Sequence, residues 1–347
     1  MMEPLEAKKT ITRWIRESKQ EAKPAKCILC GRDQSSFCNS HSIPQFVLSN
    51  IGLNGKLTQF SAVVSDENIL LDKVTDTEKG VKNSGTFQLI CRECDSKMFS
   101  EYENKDNLEK RPSDKMMAEI ELKNLLMALH KRSYELKLYQ KTDSNLPNLD
   151  ASSMVKVCER DIEDYLMTIE KIKKIISGQE KMQYKIIYWK KLRYKAPIAC
   201  QTQISLYKSP SGKIINDIYN MESTYKLQNI QLCVFPLKNE TIVMLFCMKT
   251  SRRYELLVRE FQKMSASEQL QYICYLMFEN TENIMISPHV DSTIVNSKAL
   301  TKVSQELQGL PNLGAIPAEL APSILALYTP VKWNDVPNLL DKKYAVE

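Results

Sequence analysis

Cys27-Ile28-Leu29-Cys30-Gly31 and, about sixty residues on, Cys91-Arg92-Glu93-Cys94-Asp95 are the stretches on which the fold of this chain turns. Two thiolates so spaced converge on one ion when the chain doubles back behind them, and Gly31 permits that tight turn. The second pair closes an apolar stretch, Phe87, Leu89 and Ile90, and opens a predicted helix whose positive end favours thiolates. Four thiolates form the closed tetrahedral set of a structural zinc ion, so Zn²⁺ at Cys27, Cys30, Cys91 and Cys94 is expected. The other cysteines, Cys38, Cys158, Cys200, Cys233, Cys247 and Cys274, mostly fall in apolar patterns and read as small core residues.

The rest of the composition narrows the compartment and the chemistry. The longest unbroken apolar run, Ile242 to Met248, is far short of the ~20 residues of a membrane-spanning helix, so no membrane partner is expected. Residues 1–26 carry seven basic and four acidic side chains without an apolar core, which is not a secretory signal. A cytoplasmic protein follows, and a reducing compartment directs paired cysteines to metal rather than to disulfides. No G-x-G-x-x-G occurs among the nine glycines, and Gly80 to Thr86 lacks the lysine of a phosphate loop. Rossmann dehydrogenases and P-loop nucleotidases are thereby excluded.

Patterning divides the chain into four parts and predicts an α+β fold. Residues 1–26 hold a charged helix, about 5 to 20, with Ile11, Trp14 and Ile15 on one side, read as a leader or docking helix. Residues 27–114 form the cysteine-bracketed module. Residues 115–180 form a helical hairpin: one helix from about Asp114 to Gln140, a loop through Asn145, Pro147 and Asn148, and a second helix from about Ala151 to Ser177. In that second helix Met154, Cys158, Ile162, Tyr165, Ile169, Ile172 and Ile176 alternate steps of four and three, the spacing of one helical face. Residues 181–347 form a mixed α+β domain, in which period-two alternation from Tyr184 to Lys195 predicts a strand. Further strands are expected at 198–208, 230–236 and 241–249, the last two joined by a hairpin loop at Leu237 to Glu240. Ser265 with Glu268 marks a capping box, and another helix is expected at Ser297 to Leu307. A tail with Pro311, Pro317, Pro322, Pro330 and Pro337 reads as irregular.

Between the cysteine pairs lies Cys38-Asn39-Ser40-His41-Ser42-Ile43-Pro44-Gln45-Phe46. A C-x-x-C-G knuckle, a strand with His-x-Ile-Pro, and an apolar strand into C-x-x-C and a helix together resemble the zinc-containing HNH nucleases. The Ser-His-Ser-Ile-Pro form, followed by Cys-x-x-Cys-Asp and Phe-Ser-x-Tyr-Glu, is similar to a group of uncharacterised bacterial HNH-like proteins. The resemblance covers residues 27 to about 107 and implies a ββα-metal, treble-clef-related core. It places the general base at His41, a metal ligand at Asp95 directly after the last zinc cysteine, and the middle asparagine at Asn83. Ser40 stands where many active relatives carry an acidic metal ligand.

Phosphodiester hydrolysis needs a base that titrates near neutrality and a hard cation to offset charge on the scissile phosphate, so Mg²⁺ or Mn²⁺ held through Asp95 is expected beside His41. On a helix from Asp95, Phe99 and Glu103 follow at i+4 and i+8, making Glu103 a further ligand candidate, although ~12 Å of helical rise argues against both carboxylates sharing one ion. His130 and His289 read as incidental.

A polyanion needs cations, yet residues 27–114 hold ten basic and thirteen acidic side chains, a net of −3. Lys181 to Lys195 supplies six basic residues and no acidic one. Strand alternation places Lys185, Trp189, Lys191, Arg193 and Lys195 on one face, with the tyrosines toward the core. Cations beside a stacking ring suit DNA or RNA, while lysines on an edge strand also serve to block aggregation. Two functions are thus expected. The first is metal-dependent cleavage of DNA or RNA, by family analogy in a bacterial anti-phage defence effector. The second is a non-catalytic zinc adaptor that recognises nucleic acid, or a partner protein through the C-terminal domain or the N-terminal helix.

Overall fold

The computed structural model describes residues 4–64, 71–145, 151–181, 183–218, 220, 222, 224–305 and 331–347. In chain order the elements are α1 (Pro4–Glu21), β1 (Ser40–His41), α2 (Gln45–Ile51), β2 (Lys56–Val64), β3 (Leu71–Gly80), β4 (Thr86–Phe87), α3 (Arg92–Met98), α4 (Lys105–Leu108), α5 (Asp114–Asn145) and α6 (Ser152–Ile176). They continue with β5 (Tyr184–Leu192), β6 (Ile198–Ile204), β7 (Ile230–Pro236), β8 (Thr241–Met248), α7 (Glu255–Phe261), α8 (Ala266–Asn280), β9 (Ile284–Ile286), α9 (Ser292–Val295) and α10 (Lys298–Gln305). The class is mixed α+β with antiparallel sheets, as the patterning predicts. Pro147 and Asn148 of the hairpin loop, and Pro311, Pro317, Pro322 and Pro330 of the tail, lie outside the described residues.

Two compact units emerge, one drawn from residues 1–42, 62–72 and 85–182, the other from 43–61, 73–84 and 183–347. In the first, the predicted α6 stripe is buried at Cys158, Ile169 and Ile172 and half-buried at Ile162, Tyr165 and Ile176, while Met154 stays exposed and Ile175, outside the predicted stripe, is buried. Arg132 of α5 ties the hairpin, its guanidinium 2.8 Å from Glu135 on its own helix and 2.8 Å from Asp161 on α6. Helix α1 packs along α5 with Trp14 and Ser18 buried, and Lys141 of α5 reaches Glu17 at 3.3 Å and Glu21 at 2.7 Å. The predicted leader helix is therefore part of the unit's own packing. The first half of α5 is buried on every side, Glu119, Glu121, Lys123 and Asn124 included.

The second unit is built on a seven-stranded sheet in the order β3-β2-β9-β6-β7-β8-β5. Strand β2 pairs antiparallel with β9, Thr58 opposite Ile286, which draws part of the expected 27–114 module into this sheet. One face carries Ile198, Cys200, Leu232, Val234, Val243, Leu245 and Ile286 into an apolar cluster with Leu257, Phe261, Ile273 and Met277 of α7 and α8. Each such side chain stabilises by roughly 1.5–3 kcal/mol when fully buried. The capping box forms as its spacing predicts: the Ser265 amide donates to Glu268 at 2.7 Å and the Glu268 amide to Ser265 Oγ at 3.3 Å. No helix among the described residues is long and apolar enough to cross a membrane.

Candidate metal centre

The first cysteine pair is set by a reverse turn. The Gly31 amide donates to the Cys27 carbonyl at 2.8 Å, the Cys27 amide to the Arg32 carbonyl at 2.9 Å, and Gly31 takes a φ of +70°, open to glycine without strain. The Ile28 amide then donates to Leu89 at 3.1 Å, laying this turn against the chain that leads into α3. Cys91 is the residue before α3, and its amide donates to Cys27 Sγ at 3.3 Å. All four ligand atoms of Cys27, Cys30, Cys91 and Cys94 lie within 4.8 Å of one another, with Cys30 and Cys91 Sγ 3.9 Å apart. Four Zn–S bonds of about 2.3 Å in a tetrahedron place sulfurs about 3.8 Å apart, so this cluster could hold one metal ion with no open position.

The ligands differ in surroundings. Cys27 and Cys91 are buried, Cys94 is half-buried and Cys30 is exposed. Hydrogen bonds from Arg32, whose guanidinium Nε lies 3.4 Å from the sulfur, hold the Cys30 thiol down at about 6, while burial pushes the Cys94 thiol up. Arg32 also pairs with Glu93, which Lys97 holds from the other side at 2.9 Å. Nearby Cys38 is not among the cluster: its thiol donates to the Ile90 carbonyl at 3.3 Å, and burial pushes it up to about 12.

Beside the cysteines lies a second polar cluster whose centre is Lys123. Its side chain is fully buried, and its ammonium sits 2.9 Å from Asp95 Oδ1, 2.9 Å from Glu103 Oε1 and 3.0 Å from Ser40 Oγ. Ser40 in turn donates to Asp95 Oδ1 at 2.5 Å, and the Phe99 ring lies 3.7 Å below the ammonium. A buried ammonium is held only by such pairing, and its three protons match these three oxygens. Glu103 arrives by a turn, because α3 ends at Met98; the single long helix expected from Asp95 to Glu103 does not form. Both carboxylates nonetheless share one cation, and that cation is a lysine.

The remaining predicted site residues are dispersed. His41 is half-buried on β1, opposite Thr86. Since Ser40 turns toward Asp95, strand alternation sends the next side chain, His41, to the other face. Asn83 ends a single 3-10 turn, Val81–Asn83, in the second unit, where it lines a groove of about 490 Å³ with Gln45, Ser49 and Lys82.

On β5 the expected single face is not formed. The ladder with β8 slips between Ile186 and Tyr188, so Lys185 opposes Cys247 whereas Trp189 opposes Met244 and Lys191 opposes Ile242. Cys247 and Met244 lie on opposite faces of β8, which separates Lys185 from Trp189 and Lys191. Lys191 pairs with Glu240 at 2.8 Å, and Arg193 and Lys195 follow the end of the strand. Among the described residues Lys185, Lys190, Arg193 and Lys195 have no carboxylate within ion-pair distance.

Comparison with protein-family models, with curated proteins and with solved structures finds no match to this chain. Lys123 is the residue that motif reading missed. Its signal lies in periodicity, because Met116, Ile120 and Met127 sit seven and three residues before it and four after it, the spacing of one face, and a lysine on that face needs a counter-charge.

Proposed function

We propose that this protein is a non-catalytic adaptor, in which Zn²⁺ at Cys27, Cys30, Cys91 and Cys94 fixes the entry of α3 and, through Asp95 and Lys123, its seating on α5. The observation that carries this reading is the Lys123 ammonium. It lies on Asp95 and on Ser40, the two positions that the likeness to HNH nucleases would give to a catalytic cation. A lysine in that place satisfies the carboxylates permanently and offers neither a Lewis acid nor an activated water. His41 would then be a structural residue of the β1–β4 pair. Lys190, Arg193 and Lys195, which have no carboxylate within ion-pair distance among the described residues, supply cations for the phosphates of nucleic acid, the ligand class this reading favours.

A second reading, cleavage of DNA or RNA with Mg²⁺ or Mn²⁺, keeps support from the Ser40-His41-Ser42-Ile43-Pro44 segment beside a cysteine cluster. It requires Lys123 to leave Asp95 when nucleic acid and metal arrive. Incubation of purified protein with plasmid DNA and with RNA, in Mg²⁺, Mn²⁺ or EDTA, separates the two. The adaptor reading expects binding without cleavage; cleavage that EDTA and His41→Ala both abolish would establish the second.

A further inference from the structure

The four cysteines are not equivalent toward solvent, and this has a chemical consequence for a metal bound among them. Cys27 and Cys91 are buried and Cys94 is half-buried, whereas Cys30 stands exposed at the end of the knuckle. Arg32 Nε lies 3.4 Å from its sulfur, so a guanidinium stands beside the atom at which a departing peroxide oxygen would gather negative charge. The sulfur of Cys91 is 3.9 Å away, within reach of bond formation after a small rotation of either side chain.

We infer that Cys30 is the oxidation site of this centre, through which hydrogen peroxide releases the metal and leaves a Cys30–Cys91 disulfide in its place. The inference rests on zinc binding as proposed above. The Cys30 thiolate attacks the peroxide oxygen; an S–O bond forms, the O–O bond breaks, and the departing hydroxide is protonated to water. The Cys91 thiolate then attacks the Cys30 sulfur, the S–S bond forms, and hydroxide leaves and takes a proton from solvent. Two thiolates lose two electrons, and the peroxide gains them as two waters. Only Cys27 and Cys94 would then remain to hold Zn²⁺, too few thiolates for a closed site. The new bond joins the knuckle to the start of α3, as the metal did, so the two strands stay linked and a thiol reductant with Zn²⁺ restores the original state.

The test uses the full zinc-loaded chain, its zinc content measured first, titrated with hydrogen peroxide. A chromogenic chelator follows release, and peptide mapping without reductant locates the disulfide. One Zn²⁺ freed per disulfide, a Cys30–Cys91 cross-link and recovery with dithiothreitol plus Zn²⁺ are expected. Arg32→Met, which leaves all four ligands in place, should slow release several-fold. Retained zinc while other cysteines oxidise, a disulfide without Cys30, or an unchanged rate in Arg32→Met would overturn the assignment of Cys30. A chain that contains no zinc at the outset would overturn the metal reading itself.

Discussion

The two units reach stability by different means. The sheet unit aligns alternate apolar residues of β6, β7 and β8 against α7 and α8, and its core is continuous. Around the cysteines of the other unit, by contrast, the elements are short, a two-residue β1, a two-residue β4 and a seven-residue α3, set beside the long α5. Elements this small need a staple, here the four thiols, and a polar anchor, here Lys123 between Asp95 and Glu103. The difference teaches that the segment around the cysteines relies on charge pairing at Lys123 beside the clustered thiols, whereas the sheet core relies on area removed from water.

Metal removal should expose that contrast most strongly, since zinc binding to small thiolate sites is worth about 10–16 kcal/mol in peptides. Chelation is expected to strip amide-exchange protection from 27–42 and 85–108 while the amides of β6, β7 and β8 keep theirs. Equal loss in the sheet would mean that the units are not energetically separate. Next in size, Lys123→Met should destabilise by about 3–5 kcal/mol, as removal of one partner from a buried ion pair does. Leu232→Ala in the sheet should cost about 2–5 kcal/mol by opening a cavity. The two are told apart by removing the partners: in an Asp95→Asn, Glu103→Gln background the Lys123 difference should shrink and the Leu232 one stay, and equal differences in both backgrounds would remove the electrostatic account.

A smaller effect is expected from pH. Glu119 accepts the Glu101 and Tyr102 amides at 3.0 and 2.9 Å, and burial pushes its carboxyl up from 4.5 to about 7. The folded state then holds this proton more tightly than the unfolded one, so the contribution is full below about 4.5 and is lost as pH rises toward about 7. His130 works oppositely: burial pushes it down from 6.5 to about 4, so its contribution is present above 6.5 and is lost as pH falls. Glu119→Gln keeps the acceptor and removes the titration, and denaturant midpoints across this range should show stability falling less with rising pH than in the parent chain. Identical profiles would show that Glu119 does not titrate there. Smallest in free energy, Lys191, Arg193 and Lys195 changed together to Gln should flatten the salt dependence of duplex binding, by up to about 0.9 in log–log slope for each phosphate no longer neutralised. An unchanged slope would place the nucleic-acid surface elsewhere.

Much of this architecture could be read in the sequence where one residue type decides. The convergence of Cys27, Cys30, Cys91 and Cys94 followed from spacing because thiolates have few other uses in such polar surroundings. The α5–α6 hairpin and the Ser265 cap followed from periodicity and local hydrogen bonding. Long-range register was not legible. Nothing local to Thr58 announces a strand partner at Ile286, and the slip between Ile186 and Tyr188 depends on the pairing with β8, so the predicted cationic face was divided. Lys123 was invisible to motifs because its role exists only once Ser40, Asp95 and Glu103 are brought around it.

The central claim is that the carboxylates beside the cysteine cluster belong to Lys123 and not to a second metal. Manganese titration of the zinc-loaded protein, followed by electron paramagnetic resonance, tests this directly, because bound Mn²⁺ loses the sharp signal of the free ion. The expected result is no tight Mn²⁺ binding in the parent chain. One tightly bound Mn²⁺ per chain, lost in Asp95→Asn, would contradict it.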